Sequence, residues 1–114
     1  MGGPVLTPGF KGIVVRIPSL WVMGLAFYPF VFVKNKRPGE KLLRHERIHL
    51  QQQLEMGFLL FYLWYFIEYF IRYLHCRNHY LAYRNISFER EAFSQESSPL
   101  YLRQRRFWAF RNFL

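Results

Sequence analysis

Two histidines four residues apart, with a glutamate directly after the first, stand out in Arg44-His45-Glu46-Arg47-Ile48-His49. On a helix, residues at that spacing leave the same face about one turn apart, so both imidazoles can reach one point. Two neutral imidazoles so placed can bind one divalent cation. Glu46 is then positioned to take a proton from a water polarised by that cation. Gln52 and Met56 continue the histidine stripe, counting about 100° per residue, whereas Arg44, Arg47 and Gln51 point elsewhere. A stripe of two histidines and a glutamine suits a helix lining a polar site better than a plain core face. Gln52 and Gln53 are read either as hydrogen-bond partners of ligand side chains or nearby backbone, or as exposed helix formers.

A catalytic zinc ion needs a third protein ligand and an open position for water. Three residues could supply the ligand. Glu89 lies in Phe88-Glu89-Arg90-Glu91-Ala92-Phe93. Glu68 lies nearer the histidines, but its simpler role is an ion pair with Arg72, four residues on. His79 forms a second H-x-x-x-H pair with His75, and the simpler reading of both is as surface histidines.

The elements that must position these groups can be outlined from composition and breakers. Residues 1 to 11, rich in Gly and Pro, read as an irregular lead-in. Gly12 to Ile17 is β-branched, ends at Pro18 and predicts a strand. Leu20 to Lys34 is apolar and aromatic, and its part after Pro29, Phe30 to Lys34, predicts a second strand. Asn35 to Arg37 is turn-like. Pro38 suits a first helical turn, so the histidine helix is expected to begin near Pro38 or Gly39 and run through Glu55. Met56 to Leu74 predicts a hydrophobic, aromatic helix. Its charge-free run, Met56 to Ile67, is too short to span a bilayer. Including Glu68 and Arg72 lengthens it to about 28 Å, so a spanning role is the less favoured reading. Tyr62, Trp64, Tyr65, Tyr69 and Tyr73 are rings of the kind that suit membrane surfaces or protein contacts. His75 to Arg84 is polar and basic. Ser87 is a plausible cap for a helix over Phe88 to Phe93. Leu100 to Leu114 predicts a last helix with Leu100, Phe107, Phe110 and Leu114 on one face and Arg103, Arg105, Arg106 and Arg111 around it.

A chain of 114 residues can bury one modest core. Aromatic residues make up 21% and the net charge is +9, with no aspartate, which points to anionic partners such as a membrane surface. Nucleic acid is the weaker expectation, because interleaved cations and rings such as Arg105-Arg106-Phe107-Trp108 come without a recognised module. The single cysteine, Cys76, excludes an internal disulfide and a cysteine-built metal site. The start of the chain has no secretory signal pattern, so a cytoplasmic, peripheral or integral membrane location is expected.

His45-Glu46-Arg47-Ile48-His49 with Gln52 and Gln53, the aromatic helix, and Ala82 to Ala92 together resemble a group of small bacterial H-E-x-x-H proteins of unknown substrate. Through them the chain, over roughly Phe30 to Phe93, is similar to gluzincins, zinc metallopeptidases with two histidines and a glutamate on the metal. The resemblance implies Glu89 as the third ligand, with Glu91 as the fallback. The family pattern E-x-x-A-D or E-x-x-A-N is met as far as Ala92, but Phe93 stands where a polar residue is expected, leaving a hydrogen-bond acceptor missing. It further implies strand Phe30 to Lys34 as the sheet edge against which a peptide substrate lies. Glu46 is implied as general base, and Tyr83, Tyr80, His79 or Arg84 as the donor to an oxyanion. The expected fold is α+β and minimal zincin-like, one domain over 1–114. It would hold strands and loops in 1–37, a metal-binding helical core in 38–97 and a basic aromatic helix in 99–114. The expected function is zinc-dependent peptide hydrolysis. The alternative is a non-catalytic module that binds a membrane surface or a protein and keeps a structural or vestigial metal site. In either case the aromatic helix could serve a membrane or a homo-oligomer.

Overall fold

A computed structural model describes residues 12–114; the lead-in expected before them lies outside the described residues. The fold is α+β. Strands β1 (Ile13–Arg16), β2 (Gly24–Phe27) and β3 (Phe30–Val33) precede helices α1 (Glu40–Met56), α2 (Phe58–Cys76), α3 (His79–Arg84), α4 (Ser87–Gln95) and α5 (Tyr101–Gln104). A 3-10 turn over Ala109–Phe113 follows.

The sheet order is β1-β3-β2, with β1 parallel and β2 antiparallel to β3. Strand β3 alternates as a strand with one buried face should: Val31 and Val33 are buried, and Phe30 and Phe32 stack on the other side at 5.7 Å. Val31, Val33 and Ala26 pack on Leu50 of α1, so the sheet seats directly on the helix that carries the two histidines.

That order corrects one expectation. Phe30 to Lys34 is the central strand, not an edge, and β2 is the strand that borders the histidine helix. Two α1 and α2 side chains hold β2 there. The Gln53 amide donates to the Ala26 carbonyl at 2.9 Å and accepts from the Tyr28 amide N–H at 2.7 Å, and the Tyr62 hydroxyl donates to the same carbonyl at 3.2 Å.

Gly57 separates α1 from α2 at φ 78°, a conformation that costs glycine little, and the two axes diverge by 115°. The turn folds the aromatic helix back across the C-terminal half of α1. Phe61, Phe88 and Phe110 form the centre of a second core with Met56 and Ile86. Each buried ring of this kind contributes roughly 1.5–3 kcal/mol. No single helix among the described residues is long and apolar enough to cross a membrane.

Two further expectations give way to long-range pairing. Ser87 lies inside α4, not at its cap; Ile86 holds that position. The end is capped from outside, because the Glu68 carboxylate accepts from the Ser87 backbone N–H at 2.8 Å and from its hydroxyl. Orphan N–H groups at a helix start attract such an acceptor. Glu68 also accepts from the Trp64 indole, so these contacts, not an ion pair with Arg72, fix its carboxylate. The last segment is not one helix: α5 ends at Gln104, and Trp108 turns through φ 60°. Arg105 is the reason. Its side chain is fully buried and paired with both Glu55 and Glu91, which a surface-facing arginine on a continuous helix could not achieve. Phe110 is buried, while Leu100 and Leu114 are exposed, so the single apolar face expected there does not form.

Candidate metal centre

Helix α1 presents His45 and His49 into the angle between α2 and α4, and α4 brings Glu89 opposite them. Glu89 Oε1 lies 3.0 Å from His45 Nε2 and 3.1 Å from His49 Nε2. All three residues are buried, and they form the one such cluster of metal-binding side chains among the described residues. Ligand atoms around tetrahedral zinc are separated by about 3.3 Å, given metal–ligand bonds of about 2.0–2.1 Å. The Glu89 oxygen therefore needs to part from each Nε2 by only a few tenths of an ångström to admit an ion.

The donor set fits a cation for a second reason: the far side of each imidazole is engaged. His45 Nδ1 is 2.7 Å from Glu96 Oε1, and His49 Nδ1 is 2.7 Å from Gln52 Oε1. With Nδ1–H donating to these oxygens, each ring in its neutral form would offer the lone pair of Nε2 to the shared point. The Gln52 amide is oriented in turn, donating to the Phe88 carbonyl at 3.1 Å and to Glu91 at 3.0 Å. Glu91 accepts from Arg105 and from the Tyr101 hydroxyl. A continuous polar chain thus runs from the buried arginine to the second histidine. The remaining oxygen of Glu89 accepts from the Tyr65 hydroxyl at 2.7 Å, which leaves Oε1 directed at the imidazoles.

The absent acceptor implied by Phe93 is supplied one turn later. Phe93 packs against the His45 ring at 4.5 Å, and Glu96, at the end of α4, takes the hydrogen bond. Glu89 and Glu96 are seven residues apart, two helical turns, so they share a face. That periodicity is the signal by which Glu96 could have been found. Of the other candidate ligands, Glu91 is turned away into the Arg105 pair and Glu68 into the cap of α4. His75 is exposed with Nδ1 at the Ile71 carbonyl, and His79 Nδ1 meets the Tyr69 hydroxyl at 2.7 Å.

Charges at the centre are strongly coupled. Burial alone would raise the pKa of Glu89, but His49 and His45 hold its carboxyl well below the usual range. Burial works against a charged His49, yet the Glu89 carboxylate outweighs it, with help from Glu46 and Gln52, and lifts His49 to about 9. The sign of the consequence is fixed: at neutral pH the metal-free His49 holds a proton that an incoming cation must displace. Metal uptake at neutral pH is expected to release about one proton per chain. Apparent affinity should rise about tenfold per pH unit up to roughly pH 9. Calorimetry in buffers of different ionisation enthalpy measures this directly; affinity that does not change with pH contradicts it.

The centre opens onto a cleft of about 850 Å³ between β2 and its preceding loop on one side and α2 and α3 on the other. Glu46 lines it, and burial raises its pKa although His49 and His45 pull the other way. Gly24 makes room for this carboxylate: a Cβ there would lie 3.2 Å from Glu46 Oε2. Of the expected oxyanion donors, Tyr83, Tyr80 and His79 line the cleft. Burial and the nearby Glu89 charge keep the Tyr83 hydroxyl protonated. Arg84 instead stacks over Phe93, 3.8 Å from its ring centre. Comparison with protein-family models, curated proteins and solved structures found no match.

Proposed function

We propose that this chain is a zinc-dependent peptidase with a minimal zincin-like, gluzincin-type arrangement. One observation carries the reading: two imidazole Nε2 atoms and one carboxylate oxygen converge in a buried centre whose open side is a cleft lined by Glu46. Nitrogen and carboxylate donors in that ratio suit zinc. His45, His49 and Glu89 would hold it, and zinc there would polarise a substrate carbonyl and lower the pKa of water toward neutrality. Glu46 would take a proton from the attacking water and pass it to the amine nitrogen as the C–N bond breaks. The protonated Tyr83 hydroxyl donates to the oxygen that becomes negative. Glu96 and Gln52 hold the imidazoles, and Tyr65 holds Glu89, so the donor atoms keep their directions.

Strand β2 supports an extended substrate. The Ala26 carbonyl is already taken by Gln53 and Tyr62, which leaves strand addition to the N-terminal half of β2, beside Gly24. A purely structural metal site would not call for a buried, desolvated glutamate at the mouth of a cleft.

The test is incubation of the protein with a mixture of unstructured peptides, followed by mass spectrometry of the products. Cleavage at discrete bonds is expected, removed by a chelator and restored by stoichiometric zinc. Zinc-loaded protein that cleaves no bond in the mixture would remove the catalytic reading.

A further inference from the structure

The outward face of α2 has no place in the chemistry above, yet it is the least soluble-looking surface of the molecule. Leu59, Leu63, Phe66, Ile67, Phe70 and Leu74 are exposed, with Leu59 at 85% and Phe66 and Phe70 at 61% each. Placed at about 100° per residue, the exposed side chains of α2 from Leu59 to Leu74 fill an arc of about 160° that contains no charged group. A monomer in water seldom leaves so continuous an apolar stripe uncovered. The stripe also continues toward the cleft. Phe66 belongs to both, and Trp21, 77% exposed, and Met23 face it from the loop before β2. Phe27 at the end of β2 stacks on Phe58 of α2 at 4.7 Å, joining the two sides.

Charge indicates what covers this face. All seven glutamates fall within the described residues, and only Glu40 is exposed. The others are at least half-buried, and Glu46, Glu55, Glu68, Glu89, Glu91 and Glu96 are each committed to the metal centre or to contacts inside the fold. The exposed charge, by contrast, is almost all arginine and lysine. Between Phe58 and Arg84 the only acid is the engaged Glu68, against Arg72, Arg77 and Arg84. A second copy carrying the same +9 charge would be repelled. Nucleic acid would leave the apolar stripe in water. An anionic bilayer satisfies both features, accepting the stripe among acyl chains and the cations among headgroups.

We propose that α2 and the Trp21–Met23 loop lie in the plane of an anionic lipid surface, with the mouth of the cleft at the lipid–water boundary. The helix is about 28 Å long and lies along the interface; it does not cross it. If the peptidase reading holds, on which this consequence rests, the substrates are polypeptide segments that run along or emerge from the membrane surface.

Flotation of the full-length protein with vesicles tests the docking without reference to catalysis. Phosphatidylglycerol-rich vesicles are expected to carry the protein upward and pure phosphatidylcholine vesicles to carry far less. Leu59→Glu and Phe70→Glu, alone and together, should reduce binding, the pair by about tenfold or more, with circular dichroism and zinc uptake unchanged. Glu46→Gln should float like the parent, so loss of activity and loss of docking are separable. Equal flotation of the paired variant and the parent would overturn the proposal. So would a parent that ignores anionic vesicles but forms a dimer, on dilution analysis, that the paired variant abolishes.

Discussion

Glu46→Gln is expected to lower kcat by about 10²–10⁴-fold, the range associated with loss of a general base, while zinc content stays at that of the parent. The substitution keeps size and polarity beside Gly24 and removes only the ability to accept a proton. None of the three donor atoms belongs to Glu46, and the hydrogen bonds that orient them come from Glu96, Gln52 and Tyr65. Activity and metal content should therefore separate cleanly when both are measured on one preparation. The pH profile adds a check. The base must be ionised to act, so the acid-side fall of kcat seen in the parent should be missing from the residual activity of Glu46→Gln. A variant that loses zinc along with turnover would assign Glu46 a role in holding the site.

Arg105→Met should cost about 3–5 kcal/mol of folding stability, the usual result of removing one partner from a buried ion pair. Domains of this size have a total margin of only about 5–15 kcal/mol. Arg105 is flanked by Glu55 and Glu91, all three with fully buried side chains, and its loss leaves two carboxylates without a counter-charge. The damage should extend to the metal centre, since Glu91 orients Gln52 and Gln52 orients His49. Urea unfolding is the direct measurement. Arg103→Met, two positions away on the exposed surface, should stay within about 0.5 kcal/mol of the parent. Comparable losses for both variants would show that the region responds to total charge and not to this buried cluster.

What could be read from the sequence was local in origin. His45, Glu46 and His49 were visible because a single helix fixes their relation, and β1, β3, α1 and the aromatic helix followed from runs of like residues and their breakers. Glu89 came through a short pattern on a later helix. Strand β2 was hidden, because Gly24-Leu25-Ala26-Phe27 has neither alternation nor β-branched residues. It is held by Gln53 and Tyr62 from other elements. Glu96 carries no mark in the H-E-x-x-H resemblance, which looks for the acceptor at the position of Phe93. Helical spacing from Glu89 would have found it. Arg105 could not be foreseen by any local rule. Its partners lie 50 and 14 residues away, and their attraction breaks a helix that the apolar period of the last segment would otherwise favour. Propensity gave way to long-range pairing at each of these points.

The most direct test of the central claim is the zinc content of metal-free protein titrated with zinc and then dialysed, for the parent, Glu89→Ala and Glu68→Ala. One zinc per chain is expected in the parent and in Glu68→Ala, with the ion lost from Glu89→Ala. A parent that retains no zinc, or a site that survives Glu89→Ala and disappears with Glu68→Ala, would contradict a cation held between His45, His49 and Glu89.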